Sequence, residues 1–177
     1  IEAIKANSYT EIAEAGYSSE LFADSSVFEK KTVKVYSYDP EKTINIPELR
    51  EGRMPEKPDE CVVDYNFSSS ATPKLNEKIT LEADSDSEIS DILGRTEYTV
   101  VGYVRSPMYV SGDRGTASIG DGVMNGYVLI PEENFTMEVY TDLYVKLSGS
   151  EELDPFEDEY AQMVESAIEN FELTAEE

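Results

Sequence analysis

Tyr98-Thr99-Val100-Val101-Gly102-Tyr103-Val104 reads as an extended strand, because it is built almost wholly of aromatic and β-branched residues, which suit the pleated, half-buried surface of a sheet. Its one weak position is Gly102, either a bulge or a point where another backbone comes close. Upstream, Leu75, Ile79 and Leu81 alternate with polar residues as a second strand, and Cys61-Val62-Val63 has the length and branching of a buried one. Ile44, Ile46 and Leu49 lead into Glu51 to Pro58, where Gly52 and two prolines force a surface loop. Further back, Leu21, Phe22, Val27, Phe28, Val33, Val35 and Tyr36 form two extended segments meeting around Asp24-Ser25-Ser26, which predicts a hairpin. Ile1, Ala3, Ile4 and Ala6 are compatible with the tail of a helix.

Downstream of the central strand, Ser106 to Gly126 contains five glycines and several Ser or Thr, the composition of a long irregular loop. Asn125-Gly126 is a turn signal, and Tyr127-Val128-Leu129-Ile130 beyond it is a strand ended by Pro131. Leu143, Val145 and Leu147 alternate again. Asp154-Pro155 offers an N-cap with proline at the first helical position. Phe156, Tyr160, Met163, Val164, Ala167, Ile168 and Phe171 then recur at spacings of three and four, one apolar stripe on a helix. Strands first and a helix last predict an α+β fold with a largely antiparallel or mixed sheet and a C-terminal amphipathic helix. Leu173 to Glu177 read as a helix stopped in mid-course and the first residue is Ile1, so the chain is expected to be a segment of a longer one.

A length of 177 residues suffices for one domain or two small lobes. With 38 Asp and Glu against 14 Lys and Arg, the net charge of −24 repels phosphate backbones and argues against nucleic-acid partners. Cationic partners would be drawn toward it. His is absent, which removes the commonest general base and transition-metal ligand together with every Ser-His or Cys-His nucleophile. Cys61 is the single cysteine, so no intrachain disulfide or CxxC pair can form, and its place in Glu60-Cys61-Val62-Val63-Asp64 is that of an apolar strand residue. No stretch approaches the roughly 20 apolar residues of a membrane span.

No constellation predicts catalysis. Asp84-Ser85-Asp86-Ser87-Glu88 and the Gly112-Asp113 to Gly122 region carry oxygen ligands without the EF-hand order, and solvated acidic loops are their default reading. No phosphate-cradling glycine motif is present, so no cofactor is expected. Met108, Tyr109 and Val110 form an apolar trio in the glycine-rich loop, fit either for contact with a partner or for folding back onto the core.

Gly52-Arg53-Met54-Pro55 with Glu60-Cys61-Val62-Val63-Asp64 resembles the G-R-x-P and E-[IVC]-V-V element of the extracytoplasmic domains of FtsX and MacB-like ABC-transporter permeases. Asn76 to Leu81 stands where that family has G-D-x-I-x-L, Tyr98 to Val104 is similar to its [FY]-x-V-V-G-I-[VL] strand, and Tyr127 to Pro131 to its V-[YF]-[VI]-P element. The four elements follow in family order across Arg50 to Leu147. Asn76-Glu77 replaces Gly-Asp, and the Met108 to Gly126 insert is unlike the macrolide-exporter branch, which points to a Gram-positive permease.

The resemblance implies two small lobes, residues 1–45 with 140–177 near the membrane and 46–139 outside. It implies a non-catalytic segment on the outer side of the cell membrane, inserted between the first two spans of a permease. Its partners would be the cognate ABC ATPase, reached through the membrane region, a possible second permease copy, and an extracellular substrate or partner protein. The C-terminal helix, with Phe156, Tyr160, Met163, Val164 and Ile168, would transmit motion, and Met108, Tyr109 and Val110 would make contact. A cell-surface adhesin or interaction domain, a sensor for cationic peptides and an envelope hydrolase are the rival classes.

Overall fold

Branched and aromatic runs become strands wherever alternate side chains can be buried. In the computed structural model, which describes residues 1–67 and 72–176, these strands are β1 (Thr10–Gly16), β2 (Ser18–Ser25), β3 (Phe28–Tyr38), β4 (Glu48–Gly52), β5 (Glu60–Asp64), β6 (Lys78–Glu82), β7 (Glu97–Arg105), β8 (Gly126–Pro131) and β9 (Asp142–Leu147). Two helices join them, α1 (Glu2–Lys5) and α2 (Asp158–Glu176). The chain divides into two compact units, one of residues 16–141 and one of residues 1–15 with 142–177.

In the larger unit the strands run in the order β7-β5-β8-β3-β2-β6, and β6 pairs back onto β7 through Ile79 and Tyr98, so six strands close into a ring. The pairing is mixed. β3 with β8 and β5 with β7 are parallel, and the remaining contacts are antiparallel. β4 adds to β7 beyond the stretch that β6 occupies. Period-two alternation sends two residues of each ring strand inward: Leu21 and Ala23, Val33 and Val35, Cys61 and Val63, Ile79 and Leu81, Tyr98 and Val100, Val128 and Ile130. Each large aliphatic or aromatic among them contributes about 1.5–3 kcal/mol over its exposed state. Phe67, Leu93 and Phe135 join this core from connecting segments.

Gly102 resolves the two readings of the central strand. The extra residue in the β5–β7 register is its neighbour Val101, whereas a Cβ on Gly102 itself would lie 2.4 Å from the Arg53 carbonyl. Asn76 has φ of 65°, the left-handed conformation that glycine takes most easily and asparagine next. Asn-Glu therefore serves where the resembled family has Gly-Asp, and the Glu77 carboxylate accepts the Lys74 amide at 2.8 Å within that turn.

Residues 16–45 lie in the larger unit because the hydrogen bonds of β2 and β3 run to β6 and β8. The smaller unit pairs β1 with β9 and packs α1 against α2, with the Asn7 side-chain amide donating to Asn170 Oδ1 at 2.6 Å. The Ser148 amide donates to the Tyr9 carbonyl, and Lys146 pairs with Glu11 at 2.7 Å.

One correction concerns the start of α2, which begins at Asp158 and not at Pro155. The Asp154 carboxylate accepts the Phe156 amide at 3.0 Å and its carbonyl accepts that of Glu157, a local turn that competes with the helix. Phe156 is therefore outside the helical stripe and 96% exposed. Tyr160, Met163 and Val164 are half-buried, Ala167 is buried, and Ile168 is half exposed at the edge of the stripe. Glu177, at the end of the expected run, lies outside the described residues.

Candidate functional site

The alternation that sends Cys61 and Val63 into the ring turns Glu60, Val62 and Asp64 to its outer face. There Val62 joins a second apolar layer with Val104, Tyr127 and Leu129, flanked by Tyr36, Tyr38, Met54 and Tyr109. Both carboxylates of β5 are nonetheless buried. A buried charge survives only when paired and hydrogen-bonded, and each of these meets an arginine.

At one end of β5, Arg53 Nη1 and Nη2 donate to Glu60 Oε2 and Oε1 at 2.6 and 2.5 Å, and the amides of Glu56 and Lys57 add to the same carboxylate. The Arg53 guanidinium holds the Glu60 carboxyl down at about 2, against the opposing pull of burial. Gly52 makes this reach possible. Its φ is 77°, and a Cβ there would lie 2.2 Å from the Val101 carbonyl. The Gly-Arg-Met-Pro stretch is thus a backbone fitting that delivers one guanidinium to one buried acid.

At the other end, Arg114 comes from the long loop. Its Nε donates to Asp64 Oδ2 at 2.6 Å, its Nη2 to Oδ1 at 3.0 Å and its Nη1 to the Ser111 carbonyl at 2.6 Å. The arginine side chain is only 6% exposed. Tyr109 and Tyr127 stack with ring centroids 4.9 Å apart, and the Arg114 guanidinium lies 5.0 Å and 5.6 Å from them, so cation–π attraction adds to the ion pair. The Tyr127 hydroxyl accepts the Ser106 amide and donates to the Val104 carbonyl, and burial beside Asp64 pushes its ionisation up.

Further along, the Ser118 amide and hydroxyl donate to Glu20, Thr116 and Val123 bridge, and Asn125 exchanges hydrogen bonds with Thr32. Gly120, with φ of 65°, presses against Thr32 and the Phe22 ring, where a Cβ would come within 2.8 Å. Residues 106–126 are therefore tied down at both ends and in the middle. Asp113 and Asp121 are engaged by backbone amides two residues on. Among the described residues no three His, Cys, Asp or Glu lie close enough to hold a metal ion.

The Met108-Tyr109-Val110 trio is split between core and solvent. Tyr109 folds back onto the second layer and hydrogen-bonds Tyr36 at 2.8 Å, whereas Val110 is 99% exposed and Met108 is exposed beside it. What the loop offers to solvent is an apolar tip on an anchored base. Sequence reading did not single out Asp64 or Arg114. The signal was present: a charged residue ends a buried run, and Arg114 is the one base in Ser106 to Gly126.

No helix among the described residues is long and apolar enough to cross a membrane. No family model matches the sequence, and no curated protein matches it. Among solved structures the chain is similar to the extracellular domain of the noncanonic ABC-type transporter YknZ from Gram-positive bacteria, at 10% identity and a TM-score of 0.50, covering 85% of this chain and 72% of that one. It is also similar to the periplasmic region of MacB from Actinobacillus actinomycetemcomitans, at 14% identity and a TM-score of 0.49, covering 98% and 72%. The fold is that of the transporter extracellular domain.

Proposed function

We propose that this chain is the extracytoplasmic domain of an ABC-transporter permease, working without catalysis of its own. It would pass motion from the membrane region to a substrate or partner protein outside. The observation that carries the reading is the fold shared with the YknZ extracellular domain, joined to the four ordered sequence elements. Two features agree with it. The two chain ends belong to one small unit, joined by the hydrogen bond between Asn7 and Asn170, as a segment inserted between two adjacent membrane spans requires. The loop presents Val110 and Met108 from a base fixed by Arg114, which suits a contact that must bear force.

In this reading α2 leads to the second span, the cognate ATPase acts through that membrane region, and residues 106–126 engage the outer partner. The test uses the intact polypeptide in cells. Cys61 is fully buried and burial pushes its thiol pKa up, so it should not react. A Val110→Cys variant should then be labelled by a membrane-impermeant maleimide on whole cells above the level of the parent protein. Labelling only after lysis would overturn the placement, and Met108→Ser/Val110→Ser leaving transport unchanged would overturn the contact role.

A further inference from the structure

The second apolar layer is covered at one end and open at the other. Near the start of β8, Tyr109 and Arg114 lie over Tyr127. Where β3 and β8 end, Tyr38 and Met54 continue the same layer but line an open cleft of about 640 Å³. That volume is in the range of sites that take a small ligand or a few side chains, roughly 300–1,000 Å³.

The chemistry of the walls is one-sided. Asp39, Glu56, Glu132 and Glu133 line the cleft against a single base, Lys57. Lys42 engages Glu132, but Glu133 has no ion pair among the described residues, and Glu56 is 4.0 Å from an Arg53 already committed to Glu60. Three prolines in the wall supply carbonyl acceptors and no amide donor. The Tyr38 hydroxyl makes no hydrogen bond among the described residues. The cleft thus combines an apolar floor with a rim that accepts hydrogen bonds and attracts cations. The carboxylates are too dispersed for a metal, since no three of them cluster.

We propose that this cleft binds a basic peptide segment, with an apolar side chain on Tyr38 and Met54 and neighbouring Lys or Arg side chains on the acidic rim. Charge complementarity selects this occupant: a neutral amphiphile would leave the carboxylates unused, and an acidic one would be repelled. The inference does not depend on the permease reading, because it rests on the cleft alone.

The experiment uses the full chain with methyl-labelled methionine. Of its five methionines, Met54 alone lines the cleft, so its methyl resonance reports occupancy while Met108, Met124, Met137 and Met163 serve as controls. Titration with an acetylated Lys-Leu-Lys-Leu-Lys-Leu peptide should shift Met54 saturably, and replacing its Lys by Glu should abolish the shift. Glu56→Lys/Glu133→Lys should weaken binding about tenfold or more. Asp86→Lys/Glu88→Lys, which changes net charge equally on the exposed acidic loop, should leave it nearly unchanged. Equal losses in both variants would mean attraction to overall charge and overturn the proposal. So would shifts that spare Met54, equal binding of uncharged octyl glucoside, or displacement of the peptide by calcium alone.

Discussion

Glu60 and Asp64 are buried on one five-residue strand of a protein with 38 acids and 14 bases, and each holds one of its scarce arginines. The reason is energetic: an acid buried without its partner costs about 3–5 kcal/mol. Arg53 is 43% exposed, so its loss is partly compensated by water, and Arg53→Met should lower the urea midpoint at pH 7 by less than loss of a fully buried partner would. The pH dependence has a definite sign. Glu60 titrates at about 2 in the folded chain against roughly 4.3 unfolded, so its stabilising contribution is complete above pH 4.5 and disappears as pH falls through 2. The gap between wild type and Arg53→Met should therefore narrow between pH 4.5 and 2. A constant gap across that window would show that packing, not the ion pair, is responsible.

At the scale of elements, the long loop depends on its anchor. Asp64 is fully buried and Arg114 nearly so, and Arg114→Ala should cost about 3–5 kcal/mol and open residues 106–126 to limited proteolysis. Arg114→Lys should restore little, because an ammonium lacks the planar guanidinium face beside Tyr109 and Tyr127 and cannot bind Asp64 through two nitrogens. Wild-type protease resistance in Arg114→Ala would refute the anchoring role.

The elements differ in how legibly the sequence announces them. Val100 to Val104, Cys61 to Val63, Tyr127 to Ile130 and the β2–β3 hairpin are local patterns of branched residues and turns, and each forms where expected. β1 does not announce itself, because Thr10 to Gly16 is rich in Glu and Ala and becomes a strand through its pairing with β9. Ring closure, parallel pairing and the meeting of Asp64 with Arg114 join residues far apart in the chain, and local periodicity carries no trace of them. The start of α2 lies later than the sequence pattern predicts for the opposite reason, since Asp154 forms a local turn strong enough to delay the helix.

For the whole molecule the net charge of −24 imposes a self-repulsion that the fold must tolerate. Raising sodium chloride from 10 to 150 mM shortens the screening length from about 30 to about 8 Å. The melting temperature should rise by about 2–5 °C, in contrast to a protein held by surface ion pairs, which salt would weaken. A fall in Tm would show that attractive pairs outweigh the repulsion.

The larger unit begins and ends at one place: the Thr141 amide donates to the Gly16 carbonyl at 3.1 Å, and the Thr141 hydroxyl and the Ser18 backbone are hydrogen-bonded to each other. A fold whose entrance and exit meet can be moved as a cassette. Recombination that exchanges residues 16–141 between related genes breaks the chain only at that shared doorway, so the surface of this unit can change while its two points of entry stay the same.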